Sequence, residues 1–501
     1  MARRLVTPLQ ARRGFGFIDI QPDGSVQFNP DVGVLSVGGS FPIAGPSPWI
    51  DITHPDYGAD PTGVNDSYPA IQKAWNVSSA YGIATMIPTG LYLLSQPLQA
   101  PSNLTCFGFG PLSALKGKFS TGTRQIIMND LVNGNSNITF LNFRVDRSDV
   151  NSQHGILMNG VTGLRFDGLE VVGRPPTISG AIGLSGSSIG NTSLLSENVR
   201  IANCYIQDAE DYGIEMSMVR NVSIVGNVFN NCWREVIGVE VKTADIAHDI
   251  TIMGNTIILN MVSTDTGDGV IIIDMRGYLH GVTVMGNTID NLLPTTPGVG
   301  TQTAGILLLG NPTVPAPLED VIVMGNIIRN MNGPGIQAGS AGYEVYNAII
   351  KANQIIKCCN YGGLPGIDLA NCVNSKITHN IINSPADSVD IAEAVGYASN
   401  NDIKENYTPR GITANGGGTV VENNRGYNPV GISTLTVGAS PFTYAAQHTK
   451  TTLYISGGTV TGISVGGTQV STTGPATITL EAGESISVSF TAAPTIVADV
   501  H

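Results

Sequence analysis

Two glutamates in matching contexts, Glu215 in Gly-Ile-Glu-Met and Glu240 in Gly-Val-Glu-Val, are the first candidates for chemistry. Carboxylates held side by side suit a general acid working with a base or nucleophile. Around them lie Asp208, Glu210, Asp211, Arg234, Glu235, Lys242, Asp268, Asp274 and Arg276, a dense group for a chain with only 13% charged residues. Asp268 and Asp211 are the reserve partners of the pair. Tyr212, Trp233 and Tyr278 offer rings for stacking on a ligand, while Arg234, Lys242 and Arg276 offer cations for an acidic one. A solvated acidic face or a subunit contact would have the same composition, and both readings stay open. His154 and His280 lack metal-ligand spacing and read as structural or polar-surface residues. No metal and no cofactor is expected.

The elements that must position these residues belong to an internal repeat. Segments such as NVSIVGNVF, DITIMGNTI, GVTVMGNTI and DVIVMGNII share a register, with aligned asparagines at Asn227, Asn255, Asn287, Asn326, Asn353, Asn380 and Asn406. Three residues before each stands Ile224, Ile252, Val284, Val323, Ile350, Ile377 or Ile403, all β-branched as a buried strand prefers. Phe143, Leu169 and Cys204 continue the frame upstream, and GTVVENN closes it, for about ten or eleven coils. A second strand opens with Gly and an aliphatic residue, as at Gly155-Ile156, Gly213-Ile214, Gly238-Val239, Gly269-Val270 and Gly305-Ile306. At least two short strands and sharp turns per period, with no helix-length pattern, predict a stacked parallel solenoid, right-handed by the chirality of parallel connections. In this frame Glu215 and Glu240 share one outward position on adjacent coils and should face solvent side by side. The asparagine column reads as a ladder at a bend needing left-handed dihedrals.

Four units follow. Residues 1–48 form no coil, 49–120 hold the entry and a capping helix, 121–428 hold the solenoid, and 429–501 alternate polar and apolar residues as a small antiparallel β domain does. Asp66 or Ser67 should cap the helix, with Ile71, Ala74, Trp75 and Ser78 on its buried face. With 61 glycines and a net charge of −13, the composition favours β structure and argues against nucleic acid as a partner. No stretch is long enough to insert in a membrane. Six scattered cysteines read as small buried hydrophobes. The start, MARRLVTPLQARRGFGF, lacks the apolar core of a signal peptide, which favours assembly in a cytoplasm.

Asp56-Tyr57-Gly58-Ala59, Asp60, Gly63, Asp66, Ala70-Ile71-Gln72 and Pro88-x-Gly90-x-Tyr92 resemble the N-terminal signature of the pectate-lyase-like (pectate lyase 3) superfamily. The resemblance implies an all-β fold: a right-handed single-stranded parallel β-helix with an N-terminal capping helix. Its members include phage tailspikes, pectinolytic enzymes and sugar epimerases. The Gly-Asp-Asp run of polygalacturonase-like hydrolases is reduced here to Thr266-Gly267-Asp268-Gly269, which argues against a pectinase. The tailspike type implies a virion protein of the phage tail that binds a bacterial surface polysaccharide, capsule or O-antigen. Residues 1–48 would then attach it to tail or baseplate proteins, and the chain would form a homotrimer, with Leu307 pointing outward to a partner. Three activities are compatible with this type. They are glycoside hydrolysis by the carboxylates, uronate lysis with Lys242 or Tyr278 as base beside Arg234 or Arg276, and binding without cleavage. The C-terminal domain would serve trimerisation or glycan binding.

Overall fold

The computed structural model describes residues 4–5, 18–20, 26–28, 49–122, 125–149, 151–152, 154–173, 180–185, 194–209, 212–232, 235–241, 246–260, 269–275, 278–292, 304–310, 318–360, 363–384, 389–426 and 431–500. The central region is a right-handed parallel β-helix. One parallel sheet has 12 strands stacked in chain order, from Leu98–Gln99 to Ile412–Thr413. That exceeds the ten or eleven coils expected, because strands at Leu98–Gln99 and Ile127–Met128 precede the first coil of the repeat frame at Phe143. Strands on either side of the ladder asparagines stack likewise, Val219–Val225 on Ile246–Met253 and Val228–Asn230 on Thr256–Leu259.

A single isoleucine column sets the register of the 12-stranded sheet. Ile127, Ile156, Ile182, Ile214, Ile237, Ile271, Ile306, Ile336, Ile367, Ile391 and Ile412 are consecutive partners. None is more than 5% exposed, as β-branched side chains packing on their own copies require. The seven β-branched residues before the asparagines are equally buried.

The ladder itself forms as expected along the axis. Asn227, Asn255, Asn287, Asn326, Asn353, Asn380, Asn406 and Asn424 each donate or accept a side-chain bond of 2.9–3.0 Å to the next. The left-handed residue, however, is the one before each asparagine: Gly226, Gly254, Gly286, Gly325, Ala352, His379, Glu405 and Asn423 all have positive φ. The asparagine is the buried hydrogen-bonding plug of the bend, and its neighbour takes the strain.

The helix Tyr68–Tyr81 closes the first coil by burying Ala70, Ile71, Ala74, Trp75 and Ser78. Trp75 stacks on Phe140 at 5.4 Å, and Phe140 on Phe166 at 5.6 Å. The Asp66 carboxylate accepts the Tyr68 N–H at 3.1 Å, whereas the Ser67 hydroxyl is taken up by the Asp60 backbone. All six cysteines are free, buried thiols. At the far end, residues 431–500 fold as two four-stranded antiparallel sheets around their own core of Leu453, Ile455, Ile463, Leu480, Ile486, Val488 and Ile496. Before residue 49 three short antiparallel strands are described: Arg4–Leu5, Ile18–Ile20 and Val26–Phe28.

Candidate functional site

Outward positions of the 12-stranded sheet alternate with the isoleucine column, and they carry the acids. Glu215 stands between Gly183 and Gly238 on the neighbouring strands. Glu240 stands beside Asp274. Glu215 and Glu240 therefore do not share a position. Aligning the strands on their Gly-aliphatic pairs shifts Glu240 by two residues, because the buried column continues through Ile237 and not Val239. Glu215 is also 1% exposed rather than facing solvent.

The pair that the register brings together is Glu240, half-buried, with Asp274, 7% exposed. Adjacent strands lie about 4.8 Å apart, so the two acids project from neighbouring rungs. Tyr212 and Glu235 form a second in-register pair on the same side, and both are buried. The Tyr212 ring leans across Gly238. A Cβ there would sit 3.2 Å from two of its ring carbons and 3.5 Å from Glu240 Oε1, which explains the glycine. Burial, then the charges of Glu240 and Glu235, push the Tyr212 hydroxyl far above its ordinary value. It is a neutral donor facing two carboxylates, suited to orienting them and unsuited to act as a base.

His154 lies on the N-terminal flank of this cluster and is 3% exposed. Burial, then the Arg147 charge, lower its pKa to about 4. Its ring would meet a Cβ at Gly180 at 3.1 Å. Arg147, fully buried, donates to Gly180 O at 2.8 Å and Asp208 O at 3.0 Å, so it ties three coils together beside the site. Sequence reasoning missed it, since one Arg in VDRSDV carries no periodic signal. His280 stacks on His248 at 5.1 Å on a different face of the solenoid.

Asp211, Asp268, Trp233, Arg234, Lys242 and Arg276 lie outside the described residues. Tyr278 opens the strand Tyr278–Met285, on the face that carries His248 and His280. Leu307 does project away from the main core, but it is 4% exposed and packs with Ile272, Ala304 and Leu309. It is satisfied within its own chain and does not call for a partner. Among the described residues no three His, Cys, Asp or Glu side chains converge as metal ligands.

Residues 49–272 match the family described as rhamnogalacturonase A/epimerase, pectate lyase-like, and the match ends within this site. No curated protein matches the chain. Among solved structures, the Dettilon tailspike protein is similar over 91% of this chain and 95% of its own, with 13% identity and a TM-score of 0.51. A family 28 exopolygalacturonase of Yersinia enterocolitica is similar over 83% of this chain and 81% of its own, with 14% identity and a TM-score of 0.51. At these identities the likeness is one of fold, and it agrees with the pectate-lyase-like β-helix read from the signature.

Proposed function

We propose that this pectate-lyase-like β-helix protein is a bacteriophage tailspike that binds a bacterial surface polysaccharide and depolymerises it by carboxylate-based glycoside hydrolysis. The observation that carries the reading is the in-register pair Glu240 and Asp274 on the outward sheet face, backed by Tyr212 and Glu235. Carboxyl groups on adjacent rungs suit the ~5–5.5 Å separation of a retaining glycosidase. In this reading Asp274 protonates the glycosidic oxygen while Glu240, the less buried of the two, attacks the anomeric carbon. Water then releases the glycosyl group, with Asp274 returning as base. Glu215 is the alternative partner of Glu240, one coil away in the opposite direction.

Two further roles belong to the same reading. Residues 1–48 attach the spike to the tail, and the C-terminal β domain holds three chains together or adds glycan contacts.

The burial of Glu215, Glu235 and Asp274 favours a second reading, a fibre that binds glycan without cutting it. The test is incubation with purified capsular and O-antigen polysaccharides from a panel of bacteria. New reducing ends without unsaturation support the hydrolase, and unsaturated uronate products would replace it with a lyase. Glycan retained intact leaves the binding fibre, and no binding across the panel would overturn the polysaccharide reading altogether.

A further inference from the structure

Gln337 and Asp368 are register partners on the outward side of the 12-stranded sheet, in the column that also carries Glu215, Gly238, Ile272 and Leu307. Three strand spacings, ~14 Å at about 4.8 Å each, separate the Asp368 strand from that of Asp274 along the axis.

Two acids within the late strands of this sheet, Asp368 and Glu393, are used differently. Glu393, 2% exposed, is fully engaged by Asn401 Nδ2, Thr419 Oγ1 and the Gly416 N–H at 2.7–2.8 Å. It knits the last coils together. Asp368 is half-buried, yet among the described residues it makes no hydrogen bond or ion pair. Desolvation alone pushes its carboxyl up to about 6.

An acid taken partly out of water with no partner costs folding stability, and nothing in the packing calls for one there. Its neighbours along the column are the uncharged Gln337 and the short Ala392. Gln337 gives one amide hydrogen to Gly339 O at 3.3 Å, and its carbonyl end stays available to a ligand. A planar amide beside a planar carboxyl is the kind of polar pair that takes the hydroxyls of a sugar.

We propose that Asp368 and Gln337 form a second contact point for the glycan, binding the hydroxyls of a sugar unit about three coils beyond Glu240 and Asp274. This rests on the polysaccharide reading above. A glycan lying along the helix axis crosses one strand after another of the same sheet, so both positions meet one chain.

The experiment compares full-length wild type with Asp368→Leu, Asp368→Asn and Gln337→Ala on the panel polysaccharide that wild type retains. Binding to immobilised long chains and turnover of long and short fragments are measured. Asp368→Leu and Gln337→Ala should each weaken binding about ten-fold, the loss of one or two hydrogen bonds. KM for long chains should rise, with kcat and short-fragment turnover unchanged. Asp368→Asn, which still donates and accepts, should stay within about three-fold of wild type. Asp368→Leu should melt at or above the wild-type temperature, which separates lost contact from misfolding. Unchanged binding by both weakened variants, with wild type bound, would overturn this site alone. Failure of wild type to bind any panel member would overturn it together with the polysaccharide reading.

Discussion

At Glu240 and Asp274 two acids project from neighbouring rungs, with the protonated Tyr212 facing Glu240. Glu240→Gln and Asp274→Asn keep size and hydrogen bonding and remove the titrating proton. Each should lower cleavage of the true substrate by roughly 10²–10⁴-fold, since an acid and a nucleophile that act as a unit fail together. Near wild-type rates in both would reduce the pair to a charged stripe. Glu215→Gln, assayed alongside, decides which carboxylate Glu240 works with. Asp368 yields a stability prediction. Its folded pKa of about 6 lies above the model-peptide value near 3.9, so the folded chain binds the extra proton. Stability should therefore rise as pH falls from above 6 to about 4, by up to about 3 kcal/mol, and Asp368→Asn should flatten that part of the profile in denaturant titrations. The acidic cluster was legible in the sequence, but its pairing was not. Gly-aliphatic dipeptides recur for two reasons, close packing against Val236 O and the Phe229 ring at Gly213 and room for the Tyr212 ring at Gly238, and only the Ile237 column tells them apart. Asp368 had no sequence signal, because its distinguishing feature is a missing partner.

Among the elements, the ladder bends were the most readable part of the chain. An Asn at the same place in successive coils from Asn227 onward has one physical use, a buried amide that joins its copies. The strain at the preceding residue was harder to see, because Gly gives way to Ala352, His379 and Glu405 in later coils. These are tolerated where the ladder over-determines the bend. Asn287 shows what the ladder carries. Its amide donates to Ile252 O and Asn326 Oδ1, and its Oδ1 accepts the backbone N–H and Nδ2 of Asn255, all at 2.9–3.0 Å. Asn287→Ala would strand several buried groups at about 1–3 kcal/mol each, a loss on the order of 4 kcal/mol by denaturant unfolding. Asn221→Ala, in the exposed outer column bonded to Asn198 at 2.7 Å, should cost only about 1 kcal/mol for its left-handed backbone. Equal losses at the two sites would remove the distinction between a core ladder and a surface one.

For the whole molecule, the solenoid encloses its own core from the cap helix to the last coil, and residues 431–500 enclose another. Deleting residues 1–46 should therefore leave both folded and glycan binding intact, while incorporation into virions is lost. Unfolding on truncation, seen by thermal melting, would place that segment in the core. The assembly prediction moves away from Leu307 to a different face. Val225, Met253, Met285 and Met324 are consecutive register partners, all half-buried, on the outward side of the strands that precede the ladder. Ile322 and the 36% exposed Ile349 flank them, and the row meets its first charge at Lys351. An uncharged row parallel to the helix axis matches its own copy under rotation about a parallel axis, the geometry of a cyclic trimer. Methionine suits it, being apolar and able to adapt to a facing surface. Met285→Lys puts an unpaired charge in the middle of that row at a cost of several kcal/mol per contact. The variant should dissociate at concentrations where wild type still sediments at three times the chain mass, with its melting of secondary structure little changed. A wild-type monomer would end the trimer proposal, and a trimeric Met285→Lys would move the contact to another face.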